Sequence, residues 1–228
     1  MKFFWFDDPR DYRFAWASRR EPYRLLARDE SGVPEKAYME WEADSDEVGD
    51  FVWWSLARDV VVKRSLAEEL VANFKGFELG PIEMFQNLKF DTLKRKPRKP
   101  RILLPYTGPE LVYLFVNSTV PIDLTRSTIE WVERDGIRCP QLLPVYERYE
   151  IVFENFRPVG KQHFPREAGK GVFIYSSELM DASIFRFMLA DYPSMVCCTE
   201  PVKNFIESHE YTNVRFREIG EIIGPPNA

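Results

Sequence analysis

The run of apolar residues from Leu111 to Val116 is the feature that most limits what this chain can fold into. It reads Leu-Val-Tyr-Leu-Phe-Val, without a polar interruption. A short run rich in β-branched and aromatic residues suits a strand buried on both faces better than it suits a helix. From Val120 to Leu124 apolar residues alternate with polar ones and with a proline. The sequence therefore predicts a central buried strand that leads on to the rim of its sheet.

A similar strand–helix–strand pattern lies on each side of this strand. In the first, Val60–Val62 predicts a strand, Ser65 with Glu68 forms a capping box that predicts the start of a helix, and Gly76 predicts its end. The second runs from Met195 to Ile223 in the same order. Together these patterns predict an α+β fold, with a mixed sheet built from two similar strand-helix-strand units flanking a central buried strand.

The chain length fits one large domain or two small ones, and we expect a single compact domain spanning residues 1–228. Its two pseudo-repeated halves are expected at about 50–127 and 145–223. Between them, Tyr149–Phe156 predicts a strand. The stretch Arg157–Gly171 is rich in Pro, Gly, Lys and Arg, and so predicts a long loop.

Composition limits the classes of function. The net charge of −5 argues against a general nucleic-acid binder, and no apolar run is long enough to cross a bilayer. The cysteines are Cys139 and the adjacent pair Cys197-Cys198, which is too sparse and odd a set for a disulfide scaffold. We expect a cytoplasmic protein in which the pair forms buried free thiols in a strand, with a redox role as the alternative.

No enzyme motif carries over to this sequence. His-Glu-x-x-His, Cys-x-x-Cys, Gly-x-Ser-x-Gly and Gly-x-Gly-x-x-Gly are all missing, and no pair of carboxylates stands out among the 36 acidic residues. The expectation is therefore a protein without catalytic residues, metal or cofactor. The alternative is an enzyme of unrecognised type that uses carboxylates or Cys139.

Two charged stretches are candidates for contact. Lys94 to Arg101 has six cations in eight positions, which fits either a phosphate contact or a solvated loop. Two prolines, the lack of interleaved aromatics and the acidic remainder of the chain favour the solvated loop. The second stretch lies in residues 29–50, which predict a loop. Its acids and one tryptophan form a candidate contact patch, listed here: Glu40, Trp41, Glu42, Asp44, Asp46 and Glu47.

The central stretch resembles a known family. Its residues Tyr113 to Asn117, then Val120, Asp123-Leu124 and Ser127, are similar to a motif of the bacterial polymorphic-toxin immunity proteins of the myxobacterial type. Further pieces that look alike are listed here: Val61 to Ser65, Ile184 to Arg186, Val196 to Thr199, Val202 and Asn213 to Phe216. The sequence departs from the family at Asn213, where the family has glycine.

The resemblance implies a small cytoplasmic α+β protein that binds and neutralises a cognate toxin made by the same cell, and it carries over no catalytic residue. An acidic patch would then cover a basic cleft of the toxin, with Trp41 as an anchor. An ordinary solvated acidic loop is the alternative for the patch. For the whole protein, a scaffold that binds another protein through exposed tryptophans is a further alternative.

Overall fold

The structure is a computed structural model that describes residues 1–19, 28, 30–43, 45–53, 60–96, 98–134, 136–143, 145–154, 157–189, 192–193 and 195–224. In these ranges no helix has both the length and the apolar character needed to span a bilayer. The chain divides into two compact units, which are described separately. Unit 1 comprises residues 1–6, 118–204 and 216–228, and unit 2 comprises residues 7–117 and 205–215.

The described elements alternate between many short strands and a few helices. As far as residue 117 they are β1 (Lys2–Asp7), β2 (Ala17–Arg19), β3 (Ala37–Trp41), β4 (Phe51–Val52), β5 (Val60–Lys63), α1 (Arg64–Asn73), β6 (Phe77–Gly80), β7 (Ile82–Gln86), a 3-10 helix (Leu88–Phe90) and β8 (Leu111–Val116). They continue with β9 (Thr119–Pro121), β10 (Ile129–Arg134), β11 (Ile137–Leu142), β12 (Arg148–Glu154), β13 (Arg157–Phe164), β14 (Val172–Tyr175), α2 (Ser176–Leu179), β15 (Ile184–Leu189), β16 (Tyr192–Pro193), β17 (Cys197–Thr199), α3 (Glu200–Ser208) and β18 (Arg215–Ile223).

Unit 2 contains the predicted buried strand. Every residue of β8 is buried, and β8 lies inside a four-stranded antiparallel sheet of order β4-β5-β8-β6. A second sheet, of order β2-β3-β7, covers the same core, in which Met39, Trp41 and Tyr113 pack together. The prediction of a buried strand is confirmed. Its predicted place between the two halves is wrong, because its strand neighbours β5 and β6 both come from the first half.

Helix α1 starts without the predicted cap. Lys63 occupies the N-cap position with no side-chain hydrogen bond, so the capping role predicted for Ser65 is wrong. The strand β5 runs directly into the helix, and the Arg64 amide donates to the Glu110 carbonyl at 2.8 Å. Because this backbone acceptor satisfies one free amide of the first turn, the serine is not needed there.

Unit 1 is built on a seven-stranded mixed sheet. Its order is β14-β18-β1-β17-β15-β16, with β9 also paired to β15, and its strands run both parallel and antiparallel. Phe3 of β1 is fully buried and packs on Phe185, with ring centroids 5.6 Å apart. Cys197 and Cys198 are buried in this sheet as thiols, not as a disulfide, as predicted. The α+β class is therefore correct, with sheet predominating over helix.

Two hairpins of unit 1 stand outside this sheet: β10 with β11, and β12 with β13. The strand predicted near residues 149–156 is confirmed as β12. The long loop predicted for 157–171 is wrong over Arg157–Phe164, which forms β13. Antiparallel pairing with β12 overrides the turn-forming composition, because the ladder satisfies backbone groups that a loop would leave to water.

The end of the stretch that resembles the immunity family, Asp123 to Ser127, forms a turn that is hydrogen-bonded to β14. Asp123 Oδ1 accepts hydrogen bonds from the Thr125 amide (2.9 Å) and hydroxyl (2.6 Å), and Oδ2 accepts one from the Tyr175 hydroxyl at 2.7 Å. Ser127 Oγ accepts from the Phe173 amide at 3.0 Å. The polar residues of this stretch therefore hold the turn between β9 and β10 in place.

This turn makes stability depend on pH. The hydroxyls of Thr125 and Tyr175 lower the pKa of Asp123 to about 2. A carboxyl whose pKa is lower in the folded state stabilises the protein above its ordinary pKa of 3.8, and that contribution is lost as the pH falls toward about 2. We expect Asp123→Asn to cost about 1–2 kcal/mol at pH 6 and progressively less below pH 4, measured by urea unfolding. A difference that stayed constant from pH 6 to pH 2.5 would contradict this.

Candidate functional site

The predicted acidic patch begins on a strand and not in a loop. Residues 37–41 form β3, so successive side chains point to opposite faces of its sheet. Glu40 lies on the outer face and is partly exposed, whereas Trp41 is fully buried and stacks on Tyr106 with ring centroids 5.7 Å apart. The anchor role predicted for Trp41 is therefore wrong, because its side chain offers no surface to a partner.

The outer face of the β2-β3-β7 sheet combines acids with aromatic rings. Glu40 pairs in register with Ser18 on one side and with Phe85 on the other. Tyr38 is exposed, and its ring centroid lies 6.0 Å from that of Phe85. Lys36 donates to Glu83 at 2.9 Å on the same face. This face thus presents two adjacent rings beside a carboxylate.

Hydrogen bonds fix the rest of the acidic segment along residues 13–16. The Glu42 amide donates to the Trp16 carbonyl at 2.9 Å, and the Ala15 amide donates to the Glu47 carbonyl at 2.6 Å. Between them, Ser45 Oγ donates to the Arg13 carbonyl at 2.6 Å and accepts from the Glu47 amide at 3.1 Å. The segment therefore has a defined path, along which Asp46 and Glu47 are exposed. Asp44, which we also predicted in the patch, lies outside the described residues.

Residues 14–16 form one wall of an aromatic cleft in unit 2. The cleft has a volume of about 340 Å³ and is lined by Asp8, Arg10, Asp11, Tyr12, Phe14, Ala15, Trp16 and Asn213. Tyr12 and Trp16 expose 76% and 37% of their surface, so both rings are open to a partner. The backbone bond between Glu42 and Trp16 makes the cleft and the acidic segment one continuous surface.

The two cleft carboxylates Asp8 and Asp11 differ in whether a cation is paired with them. Burial raises the pKa of the Asp8 carboxyl, although the Arg10 amide donates to Oδ1 at 2.7 Å and opposes this effect. Asp11 forms an ion pair with Arg13 at 2.5 Å, which offsets its charge. An incoming ammonium or guanidinium group would find the Asp8 carboxylate together with aromatic faces, the combination that binds cationic side chains in proteins.

The sequence did not lead us to this cleft. Residues 7–16 read Asp-Asp-Pro-Arg-Asp-Tyr-Arg-Phe-Ala-Trp, and the interleaving of acids with aromatic residues was the available indication. Asn213, from a distant part of the chain, completes the lining in an αL conformation with φ of 61°. Its carbonyl accepts from Trp53 Nε1 at 2.6 Å, and its side-chain amide donates to the Phe51 carbonyl at 2.8 Å.

The other residues that the sequence suggested do not form a further site in the described part of the chain. Across the part of the chain that the structure describes, no three His, Cys, Asp or Glu side chains are grouped as a metal site would require. Trp54 and the side chain of Cys139 lie outside that part. No family model matches the chain, and a search of the curated proteins finds no similar sequence.

Proposed function

We propose that this protein binds and neutralises a cognate bacterial toxin in the cytoplasm by covering a basic surface of that toxin. The observation that carries the proposal is the attachment of the acidic segment to the wall of an aromatic cleft, through the bonds from Glu42 to Trp16 and from Ala15 to Glu47. Acids and open aromatic rings on one continuous surface suit a partner rich in Lys and Arg.

The acids would act mainly on the rate of encounter. Glu40, Glu42, Asp46 and Glu47 are at least partly exposed, and the whole chain carries a net charge of −5. An acidic surface attracts a basic partner over about one Debye length and can raise the association rate by 10- to 1000-fold. For a protein that protects its own host, rapid capture of the toxin is an advantage.

The aromatic residues would supply the affinity. Aromatic side chains that become fully desolvated at the centre of an interface often contribute most to binding. Trp16 and Tyr12 are exposed beside the acids, so they take the anchor role that the sequence suggested for Trp41. The outer-face pair of Tyr38 and Phe85 extends the same kind of surface along β3 and β7.

We also infer a duplicated plan, which is the finer part of the fold prediction. In unit 2, β5 and β6 are joined through α1 and lie on either side of β8. In the seven-stranded sheet, β17 and β18 are joined in sequence through α3 and lie on either side of β1. This common arrangement supports two related strand–helix–strand units, each around its own middle strand. The single compact domain spanning residues 1–228 stays a prediction.

The first experiment is growth of a host that expresses the toxin candidate encoded beside this gene, with and without this protein, followed by co-purification. We expect rescue of growth together with a stable complex. Rescue without a complex would instead favour an enzyme that reverses the damage. No rescue and no complex would overturn the proposal.

Charge reversal tests the surface itself. A variant with Glu40, Glu42, Asp46 and Glu47 all changed to Lys should bind the toxin about 100-fold more weakly, mainly through a slower association rate, because steering is lost. Surface plasmon resonance at low and high salt measures this. The matched control changes four exposed acids elsewhere to Lys, namely Glu68, Glu130, Glu133 and Glu178. Equal association rates for both variants would exclude the acidic segment as the contact surface.

A further inference from the structure

The aromatic cleft of unit 2 contains one carboxylate and one guanidinium that no ion pair of the described chain neutralises. Asp8 Oδ1 accepts from the Arg10 amide at 2.7 Å, whereas Oδ2 has no hydrogen-bond or ion-pair partner among the described residues. Since Oδ2 is not among the unpaired atoms that the fold closes off from solvent, a ligand can reach it. The side chain of Arg10 also lines the cleft, is exposed and has no ion-pair partner in the same part of the chain.

The other charges beside the cleft are offset within the protein. Asp11 is paired with Arg13. Arg215 donates to the Asp8 carbonyl at 3.2 Å, but its charge is offset by Asp7, whose carboxylate accepts from Arg215 Nε at 2.8 Å. Among the described residues that line the cleft, one negative and one positive charge therefore remain open to a ligand.

A constrained turn places these two open charges in the cleft. Arg10 has a φ of 53°, in the left-handed region that residues other than glycine rarely adopt. The hydrogen bond from its amide to Asp8 Oδ1 holds this conformation. Burial raises the pKa of Asp8 and the charge of Arg10 partly opposes this, so the two groups interact electrostatically although they form no ion pair. Backbone conformations of this sparsely populated kind cluster at binding sites.

The rest of the lining selects the size and the apolar part of the ligand. Phe14 is buried in the wall, whereas Tyr12 and Trp16 leave ring surface open. Aromatic rings bind one another by stacking, and their faces attract cations. The cleft volume of about 340 Å³ lies near the lower end of the range of about 300–1,000 Å³ that is usual for small-molecule sites. A small ligand with an aromatic group and a charge of each sign would therefore fit.

We propose that the cleft binds a small zwitterion, an aromatic α-amino acid, with its ammonium group on Asp8, its carboxylate on Arg10 and its ring against the aromatic walls. A ligand with only a positive charge would be attracted by Asp8 and repelled by Arg10, and one with only a negative charge would meet the reverse. The inference does not rest on the proposed function, because the ligand is a free small molecule. Such a ligand would cover the rings that we propose as toxin contacts, so it would compete with the toxin.

The test is calorimetric titration of the full chain at neutral pH with three probes that share one ring. Phenylalanine carries both charges, phenethylamine only the ammonium and 3-phenylpropanoate only the carboxylate. We expect saturable binding of phenylalanine, about 10-fold tighter than that of either single-charge probe, because each of these probes loses one charged contact. No saturable binding of phenylalanine, or equal affinity for a single-charge probe, would overturn the proposal. Neither result bears on toxin neutralisation, which the growth experiment tests separately.

Two variants make the test specific. Asp8→Asn keeps an acceptor for the Arg10 amide, and Arg10→Gly suits the positive φ, so the unfolding midpoint of each without ligand should be unchanged or higher. Each should bind phenylalanine about 10-fold more weakly, whereas Arg10→Gly should keep its affinity for phenethylamine, which has no carboxylate. Glu130→Gln, at an exposed carboxylate of β10 outside the cleft, is the matched control and should bind phenylalanine normally. Full affinity for phenylalanine in either cleft variant, or an equal loss of both probes in Arg10→Gly, would contradict the proposal.

Discussion

Replacing Gly220 by alanine is expected to destabilise unit 1 by about 3 kcal/mol or more. A Cβ atom at this position would lie 1.8 Å from the Val172 carbonyl oxygen and 2.8 Å from Cε1 of Phe3. Gly220 belongs to β18, which is paired with β14 on one side and with β1 on the other. Backbone atoms on one side and a fully buried ring on the other cannot move aside without breaking the sheet, so overpacking is severe.

Urea unfolding followed by circular dichroism measures this loss. Gly160→Ala is the matched control, because Gly160 also lies in a strand and a Cβ there would meet no atom within 4 Å. We expect that control to change the free energy of unfolding by no more than about 0.5 kcal/mol. Equal unfolding midpoints for the two variants would show that β18 is not packed between β14 and β1 as described.

The second large effect separates the two tryptophans beside the acidic segment. Trp41→Ala should destabilise unit 2 by about 4 kcal/mol, because it empties a fully buried position in the core with Met39 and Tyr113. Trp16→Ala should cost less than about 1 kcal/mol in stability, since part of its ring is exposed. If the proposed interface is correct, Trp16→Ala should nevertheless weaken toxin binding by about 2 kcal/mol, or roughly 30-fold.

The free energy of unfolding and the affinity for the toxin need to be measured on the same proteins, the first by urea unfolding and the second by titration with the toxin. Trp131→Ala serves as a further comparison, because Trp131 is an exposed tryptophan of β10 that is not among the residues lining the cleft. If the Trp41→Ala protein kept its stability but no longer bound the toxin, Trp41 would be the anchor of the interface after all. A Trp16→Ala protein that bound normally would remove the cleft from the interface.

Local patterns in the sequence correctly predicted those strands that would be buried whichever other strands they pair with. The run Leu111–Val116 is buried on both faces in any sheet that can hold it, and it is β8 in the structure. Val60–Val62 and Cys197-Cys198 were likewise found as buried strands. Their hydrophobicity alone excludes them from the surface.

The errors arose where a distant partner decides the structure. Residues 37–41 read Ala-Tyr-Met-Glu-Trp, whose alternation is that of a strand, but the acids around it suggested a loop. Pairing with β2 and β7 makes this segment a strand, and the side chain of Trp41 then lies in the core. The strand β13 was missed for the same reason, because its ladder with β12 outweighs its loop-like composition.

The site was harder to predict than the fold. Glu40 and Glu42 were chosen for their charge, and the structure places them next to aromatic residues that the sequence did not connect with them. The cleft depends on Asn213 lying near residues 8–16. Contacts of such long sequence separation leave no local pattern.

The position of β1 has a consequence for how the protein is made. Its Trp5 pairs with Cys197, so roughly 190 residues must be synthesised between one strand and the next, which takes about 10–40 s at typical translation rates. During that time a segment containing Phe3, Phe4 and Phe6 has neither of its neighbours β17 and β18. The nascent chain therefore carries an unpaired apolar strand until β17 and β18 have been synthesised.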